Sequence, residues 1–511
     1  MVDDENQGVN HLAKVLELTS KERAGLIIQV SSGVVSISGL LAASCSEIFT
    51  VQTTDARPIP GLVVNISRQR SMRIIIGGII LDADCRLTEG AMVLPTLVLP
   101  KVPSGSFVFG GIFDALGDSL LSITSIQQAQ QAVAKQSWLI QAPSPGIVSR
   151  DSVFEPLLTG LLGVDSLIPI GRGQRELIIG DRQTGKTCLG LDGILNQKTD
   201  SLFCVYVGIG QKSTSILDLF LCLFRHSSAF YVSIIASPAN SAPMAQFFAV
   251  YRGAGVLEFF MLAAGIPCLL QLDDLSKHAV SYREIYLLLR RPPGREAFPG
   301  EIFFVHSRLL ERSAKVSSSL GGGSITALPI IETQAGDVSA YISTNVISIT
   351  DGQIFLSSDL FLSGIKPAVD VSISVTRVGS AAQCKEMKLL AGTYKVQLAQ
   401  YNELKAFSQF ASDLGPESAA KLAKGRLLND LLKQGAGKPM DLQTQIIILG
   451  LADEDFFSGL PMKLIPAVIH DLRRFPSFIY LYLPARFIGS GILKHLTNPN
   501  STSQAPPPPT P

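Results

Sequence analysis

The chain has 511 residues, of which 46% are hydrophobic and only 17% are charged. Its formal net charge is +1, from 43 basic and 42 acidic residues, so bulk charge does not point to nucleic acid or an anionic membrane surface. Seven widely spaced cysteines without a Cys-x-x-Cys pair argue against a disulfide or zinc framework and fit a reducing compartment.

The first 103 residues predict two parts. Residues 1–25 carry an apolar stripe at helical spacing and predict a short polar helix. Their acidic start is typical of neither a signal peptide nor an Arg-rich transit peptide. From 26 to 103, short β-branched runs alternate with Gly, Pro, Asn and Asp, which predicts a small β-barrel or sandwich domain.

From 104 to 385, strand-like runs alternate with helical stretches, which predicts an α/β domain with a mostly parallel sheet. An apolar strand, Glu176–Ile179, leads into a run that fits the phosphate-loop pattern G-x-x-x-x-G-K-[ST] and opens a helix. Backbone N–H groups of such a loop bind phosphate, its lysine reaches the β- and γ-phosphates, and its hydroxyl holds Mg²⁺. The predicted nucleotide ligands are Gly180, Asp181, Arg182, Gln183, Thr184, Gly185, Lys186 and Thr187.

The most apolar window, Ala254–Leu272, nearly reaches membrane-spanning length, and the mean hydropathy of the whole chain is +0.32. Because the window contains Glu258 and Pro267, we interpret it as a buried helix followed by a buried strand. The high hydropathy indicates either large buried contacts with partner chains or compositional drift of the genome. The strand ends in Asp273, a carboxylate suited to Mg²⁺ in the second half of a phosphate-loop site.

After residue 385 the β signal fades. Helical spacing predicts a C-terminal helical domain over 386–497, and the proline-rich composition of 498–511 predicts a disordered tail.

Five segments together resemble the alpha subunit of the rotary F-type ATP synthase, especially its plastid and cyanobacterial forms. The resemblance is near-continuous from about 142 to 435, weak before 100 and nearly absent after 440. The segments that carry it are 169–187, 287–296, 306–312, 326–355 and 377–383.

This resemblance implies an N-terminal β-barrel, a central RecA-like nucleotide-binding domain and a C-terminal helical domain, with ATP or ADP and Mg²⁺ as ligands. It also implies three copies alternating with three catalytic beta subunits around a central gamma shaft. Delta and peripheral-stalk subunits would bind at the N-terminus, and the membrane would be reached only through the complex. The implied location is the stromal face of the plastid thylakoid, with the matrix face of the mitochondrial inner membrane as the alternative.

The resemblance also assigns roles to single residues. Gln211 stands where the catalytic beta subunits have a water-activating Glu, so this chain's own site is expected to bind nucleotide without turning it over. Arg377 matches the arginine finger that reaches a neighbouring beta site, where such residues contribute roughly 10³–10⁵ in rate. The matching adenine-lining residues are Phe361, Lys366, Pro367 and Gln434, and the metal ligands are Thr187 and Asp273.

The chain departs from the family pattern in several places. Lys366 replaces an Arg and keeps the charge without the planar fork, and Ala436 replaces a polar residue, so adenine affinity is in question. Ser31-Ser32-Gly33 replaces a Gly-Asp-Gly turn, and the C-terminal region is shortened, which puts the assembly contacts at both ends in question.

Three other hypotheses compete with this one. A self-sufficient homohexameric motor ATPase would require a carboxylate at position 211. An RNA-translocating hexamer would require a basic, aromatic module near the N-terminus, which 26–103 lacks. A degenerate subunit that only holds a ring together would not need Lys186, Thr187, Asp273 and Arg377, all of which are present.

Overall fold

The structure, a computed structural model, describes residues 24–31, 33–40, 43–52, 58–68, 74–81, 87–122, 137–199, 202–408 and 416–453. The predicted N-terminal helix over 1–25 falls almost wholly outside these residues, as do the predicted helical residues after 453 and the tail over 498–511.

In the described part of the chain the strands are β1 (Gly25–Ser31), β2 (Val34–Ser38), β3 (Ile48–Gln52), β4 (Ile59–Arg68), β5 (Ile74–Ile80), β6 (Met92–Val98), β7 (Lys101–Pro103), β8 (Gly111–Phe113), β9 (Ser119–Ser122), β10 (Ser137–Leu139), β11 (Pro156–Leu157), β12 (Ile170–Gly171), β13 (Glu176–Gly180), β14 (Phe203–Gln211), β15 (Val232–Pro238), β16 (Pro267–Asp273), β17 (Ser324–Glu332), β18 (Gly352–Leu356) and β19 (Val375–Thr376).

The α-helices of the same ranges are α1 (Leu162–Leu167), α2 (Lys186–Leu195), α3 (Ser213–Arg225), α4 (Pro243–Ala263), α5 (Leu275–Leu288), α6 (Ile302–Leu310), α7 (Tyr341–Ile349), α8 (Ser358–Leu362), α9 (Gly379–Ala382), α10 (Lys385–Ser408), α11 (Pro416–Leu431) and α12 (Leu442–Asp453).

The chain divides into two compact units, each of which is drawn from separate segments. The first takes its residues from Met1–Ser152, Gly173–Ile178 and Ser201–Asp351, and the second from Val153–Arg172, Ile179–Asp200 and Gly352–Pro511.

Strands β1 to β6 of the first unit close into an antiparallel barrel in the order β1-β2-β5-β4-β3-β6. The predicted β-barrel is therefore confirmed, and the sandwich alternative is not. Phe49 fills the barrel interior against Gly61 and Gly78, where an added Cβ would lie 2.2 Å and 2.5 Å from its ring. Closure leaves the β-branched strands without open edges, which is how a short, strand-rich sequence avoids unpaired backbone groups.

The first unit also contains the α/β sheet that the sequence predicts. Strands β17, β16, β14, β15 and β8 run parallel in that order, and β9 closes the edge antiparallel. The central strands are buried along nearly their whole length, as expected when helices cover both faces of a parallel sheet.

The apolar window Ala254–Leu272 is indeed a buried helix followed by a buried strand, α4 and then β16. Its internal charge, Glu258, is paired with Arg312, and both side chains are buried. In the described ranges we find no helix with both the length and the apolar character that crossing a membrane requires.

The second unit combines small antiparallel ribbons with helices. Strand β11 pairs with β12 and β18 pairs with β19, while α10 packs against α1, α11 and α12. The Tyr394 hydroxyl on α10 donates a 2.7 Å hydrogen bond to the Leu449 carbonyl on α12, which ties two of these helices together. Helices after residue 385 thus confirm the helical C-terminal part as far as residue 453.

Candidate functional site

The phosphate-loop residues, 180–187, lie in the second unit. The loop connects the end of β13 to α2, and Gly185 adopts φ +94° as the residue before the helix, a conformation that favours glycine. The Lys186 ammonium donates a 2.9 Å hydrogen bond to the Gly180 carbonyl and a second bond to the Asp181 carbonyl. This wraps the buried lysine over the loop, and the start of α2 places the partial positive charge of a helix N-terminus beside it, which favours an anion.

Two further contacts brace the loop. The Thr184 hydroxyl donates to the Asp181 carbonyl at 2.8 Å, and the Ser358 hydroxyl donates to a carboxylate oxygen of Asp181 at 2.8 Å. Gly180 passes so close to β18 that an added Cβ would lie 2.6 Å from the Leu356 carbonyl oxygen. Because Ser358 lies 177 residues from Asp181, the sequence carries no local signal for this contact.

The residues predicted to line the adenine base also lie in the second unit. The Lys366 ammonium lies 4.6 Å from the centre of the Phe361 ring, which is a cation–π arrangement. The Gln434 backbone N–H donates a 2.7 Å bond to the Lys366 carbonyl, so Gln434 and the Lys366–Pro367 segment are directly connected. Ala436 is exposed.

The Gln434 side chain is engaged by the protein itself. Its buried amide nitrogen donates to the carbonyls of Gly160 and Lys438, each at 2.7 Å, and its oxygen accepts from the Leu162 N–H at 3.3 Å. Gln434 therefore has a structural role in this unit in addition to its predicted place beside the base.

In the first unit, Asp273 is the last residue of β16 and Gln211 is the last residue of β14. The Tyr206 hydroxyl lies between them, 2.8 Å from an Asp273 carboxylate oxygen and 2.9 Å from the Gln211 amide nitrogen. Burial, and then the nearby Asp273 carboxylate, raise the pKa of the Tyr206 hydroxyl well above its usual range, so the phenol keeps its proton. Tyr206 is a functional candidate that the sequence does not indicate, since its only signal is a polar tip inside an otherwise apolar buried strand.

The neighbouring Asp274 begins α5. Its carboxylate accepts a 2.7 Å hydrogen bond from the Lys277 backbone N–H, which caps the helix, and lies 3.6 Å from the Lys277 ammonium. Burial nevertheless raises the pKa of Asp274 to about 6.

The predicted ligands fit Mg²⁺ by their chemistry. Thr187 offers a hydroxyl and Asp273 a buried carboxylate, and a hard cation prefers oxygen donors of this kind. Among the residues that the structure describes, no group of three or more His, Cys, Asp or Glu side chains could hold a metal ion by itself. Mg²⁺ usually takes few protein ligands, because phosphate oxygens and water complete its shell.

Arg377 lies directly after β19 in the second unit and is exposed. Within the described ranges, its guanidinium has no hydrogen-bond or ion-pair partner. An exposed, unpaired arginine at a strand end is available to a ligand or to another chain.

Family models match two regions of the chain. The nucleotide-binding domain of the ATP synthase alpha/beta family matches residues 160–376, and the C-terminal domain of the ATP synthase alpha/beta chain matches residues 383–477. The first region contains the phosphate loop, Gln211, Asp273 and the Phe361–Pro367 segment, so the local geometry and the family match agree on nucleotide binding. The chain belongs to the ATP synthase alpha/beta family and carries both its nucleotide-binding domain and its C-terminal domain.

Proposed function

We propose that this chain is the non-catalytic, nucleotide-binding and regulatory alpha subunit of a proton-translocating ATP synthase. It binds Mg-ATP or Mg-ADP at its own site and supplies Arg377 to the catalytic site of an adjacent beta subunit. The observation that carries this proposal is the amide of Gln211 at the end of β14, next to Asp273.

Nucleotide binding follows from two sets of residues in the second unit. The loop N–H groups and Lys186 neutralise the phosphates, while Phe361 and the apolar part of Pro367 offer a surface to the base. When bound, Mg²⁺ would neutralise phosphate charge, with the Thr187 hydroxyl and the Asp273 carboxylate as its protein ligands.

The absence of turnover follows from the chemistry of an amide. Hydrolysis requires a group that accepts a proton from the attacking water or polarises it. The Gln211 amide has no basic atom, and its nitrogen is engaged by Tyr206. A self-sufficient homohexameric motor would need a carboxylate at this position, so the same observation disfavours that alternative.

The role of Arg377 in a neighbouring site is supported by its exposure. A guanidinium offers five N–H donors in a planar fork, which suits the charge that develops on a transferring phosphoryl group. Since no described residue of its own chain pairs with it, the side chain can reach a partner without first breaking an ion pair.

Exposed apolar side chains support assembly with partner chains. Ile147 and Val148 are consecutive in the chain and are 91% and 97% exposed, and contiguous exposed apolar surface marks interaction sites. The proposed partners are beta subunits in an alternating three-plus-three ring, a central gamma shaft, and delta and peripheral-stalk subunits. The proposed location is the stromal face of the plastid thylakoid, with the mitochondrial inner membrane as the alternative.

The proposal is tested on the assembled complex purified through this chain. Labelled nucleotide is loaded, and its exchange on this subunit is followed during steady-state ATP hydrolysis. We expect the label to stay on this subunit while ATP turns over elsewhere. Exchange of that label at the turnover rate would instead show that the chain hydrolyses ATP itself and would support the motor ATPase.

A further inference from the structure

Tyr206 and Gln211 lie on the same strand but should not share a face. They are five residues apart, and side chains of a regular strand alternate between faces, so an odd separation places two residues on opposite sides. In the structure their side chains are hydrogen-bonded to each other. A local irregularity in β14 must therefore reverse the side-chain alternation between Tyr206 and Gln211.

The change occurs at Gly210. The pairing of β14 with β15 shifts between Ile209 and Gln211, which marks a β-bulge, and Gly210 has φ +58°. A bulge adds one residue to a strand and so reverses the alternation beyond it. This returns Gln211 to the face of Tyr206 and folds its amide back along the strand. The amide oxygen of Gln211 lies only 3.4 Å from where a Cβ of Gly208 would be, so Gly208 leaves the space that the folded amide occupies.

The proton of Tyr206 can serve only one acceptor at a time. Its hydroxyl lies 2.8 Å from Asp273 Oδ2 and 3.2 Å from Gln211 Oε1. Because an ionised carboxylate is the stronger acceptor, the phenol donates to Asp273 and accepts from the Gln211 amide nitrogen. The result is a directed chain, from Gln211 to Tyr206 to Asp273, and all three residues belong to the first unit.

We infer that Tyr206 is a positioning residue that links Gln211 to Asp273. Its hydroxyl orients the Asp273 carboxylate toward a divalent cation and at the same time accepts a hydrogen bond from the Gln211 amide. The positions of both side chains thus depend on one hydrogen-bond chain through Tyr206. This inference depends on the proposed function, since it concerns the same Mg-nucleotide site.

The test measures cation binding on the full chain. With saturating ADP, the affinity for Mn²⁺ is determined from the electron paramagnetic resonance signal of free Mn²⁺, for wild type and for Tyr206→Phe. We expect Tyr206→Phe to bind Mn²⁺ about 10-fold more weakly, since loss of a hydrogen bond to a metal-ligating side chain commonly weakens metal binding by roughly 10–100-fold. An Mn²⁺ affinity within twofold of wild type would overturn the inference.

Tyr251→Phe is the matched control. Tyr251 is also fully buried in the first unit, and its hydroxyl bonds to the Val305 carbonyl at 3.1 Å and to the Arg308 side chain, with no bond to Asp273 or Gln211. If losing a buried hydroxyl merely loosened the fold, both variants would weaken Mn²⁺ binding. We expect only Tyr206→Phe to do so, and an equal effect of both would contradict a positioning role.

A second variant tests the link to Gln211 directly. Gln211→Leu is made alone and together with Tyr206→Phe, and the Mn²⁺ affinities form a double-mutant cycle. We expect the effect of Gln211→Leu to shrink to within twofold once Tyr206 has lost its hydroxyl, whereas independent effects would contradict the link. If wild type binds no nucleotide, the proposed function fails together with this inference. If wild type binds both ADP and Mn²⁺ but the cycle shows no coupling, only the inference fails.

Discussion

His278 Nδ1 lies 3.3 Å from His306 Nε2, and both rings are fully buried between helices α5 and α6. The Phe247 ring of α4 stacks on His278 with centroids 5.1 Å apart, so the pair is enclosed largely by aromatic groups. One nitrogen of the pair must donate and the other must accept, which holds only while at least one ring is neutral. The two histidines lie 28 residues apart in the chain, so no local pattern indicates that they pack together.

This pair predicts that acid destabilises the first unit. Burial, and then the proximity of His306, lower the pKa of His278 well below its usual value, and burial lowers the pKa of His306 to about 4. Between about pH 6.5 and pH 4 the unfolded chain therefore binds protons that the folded chain does not. Stability is full above about pH 6.5 and falls as the pH is lowered, by about 1.4 kcal/mol per pH unit for each histidine.

Urea unfolding of the full chain at several pH values measures this dependence. We expect His278→Gln to reduce the fall in the unfolding midpoint between pH 6.5 and pH 5. His226→Gln is the control, because His226 is exposed at the end of α3 and should leave the dependence unchanged. The prediction is wrong if His278→Gln and wild type lose stability equally over this range.

Lys186→Ala is expected to weaken nucleotide binding to this chain. The ammonium is held by the Gly180 and Asp181 carbonyls at the start of the loop and is the side-chain cation of the phosphate-loop motif. Loss of a charge-assisted contact of this kind should weaken binding by at least about 10-fold, on the basis of roughly 1.5–3 kcal/mol for a hydrogen bond to a charged group. A fluorescent ATP analogue titrated onto the full chain measures it.

The exposed Lys198, at the end of the short turn after α2, provides the matched control. Lys198→Ala removes the same charge from the same unit without touching the loop. If both lysine variants bind the analogue as tightly as wild type, the phosphate loop is not the binding site.

Arg377→Ala is expected to reduce ATP hydrolysis by the assembled complex by roughly 10³-fold or more, the scale typical of an arginine finger. Nucleotide bound to this chain itself should remain. Arg377→Lys should restore little activity, because a lysine keeps the charge but lacks the planar fork. Steady-state hydrolysis and retained nucleotide are measured on the same complex.

Lys388→Ala is the control variant. Lys388 lies on helix α10, close to Arg377 in the chain, and it is also an exposed positive charge. Near-normal hydrolysis by the Arg377→Ala complex would exclude the finger role. An equal loss in both variants would indicate a general effect of charge or assembly.

Gln434→Ala should lower stability as well as adenine affinity. Its buried amide makes three hydrogen bonds to the backbone of Gly160, Leu162 and Lys438. Removing it takes the acceptor from the buried Leu162 N–H, while the Gly160 carbonyl keeps its bond from the Met440 N–H. A buried polar group left without a partner costs about 1–3 kcal/mol. We expect a lower unfolding midpoint in the absence of nucleotide, and an unchanged midpoint would contradict the structural role of this side chain.

Phe361→Leu separates the base contact from that structural role. The half-buried Phe361 ring contacts the Lys366 ammonium, and its loss should weaken ATP binding while leaving pyrophosphate binding intact. Competition of ATP and pyrophosphate for the analogue measures both. An equal loss of the two would show that Phe361 supports the loop and not the base.

Local pattern predicted a large part of this molecule. Three features were predictable from it: the strand–loop–helix around Lys186, the helix and strand within Ala254–Leu272, and the helices after residue 385. Each depends on hydrophobic periodicity and on turn residues within about 20 residues of sequence. The sequence also shows, without knowledge of the fold, that position 211 carries an amide (Gln211), position 273 a carboxylate (Asp273) and position 377 a guanidinium (Arg377).

The order of residues specifies which chemical groups are present and which local elements carry them. Which of these groups come into contact depends on the folded chain. The bulge at Gly210 reverses the side-chain alternation of β14 and brings Gln211 to Tyr206, and strand pairing brings Tyr206 beside β16, which ends in Asp273. Ser358 donates a hydrogen bond to Asp181, which lies 177 residues away in the chain, and His306 contacts His278, which lies 28 residues away. Such meetings depend on strand order, register and packing, and these arise from the whole chain burying its apolar surface at once, which no local pattern records.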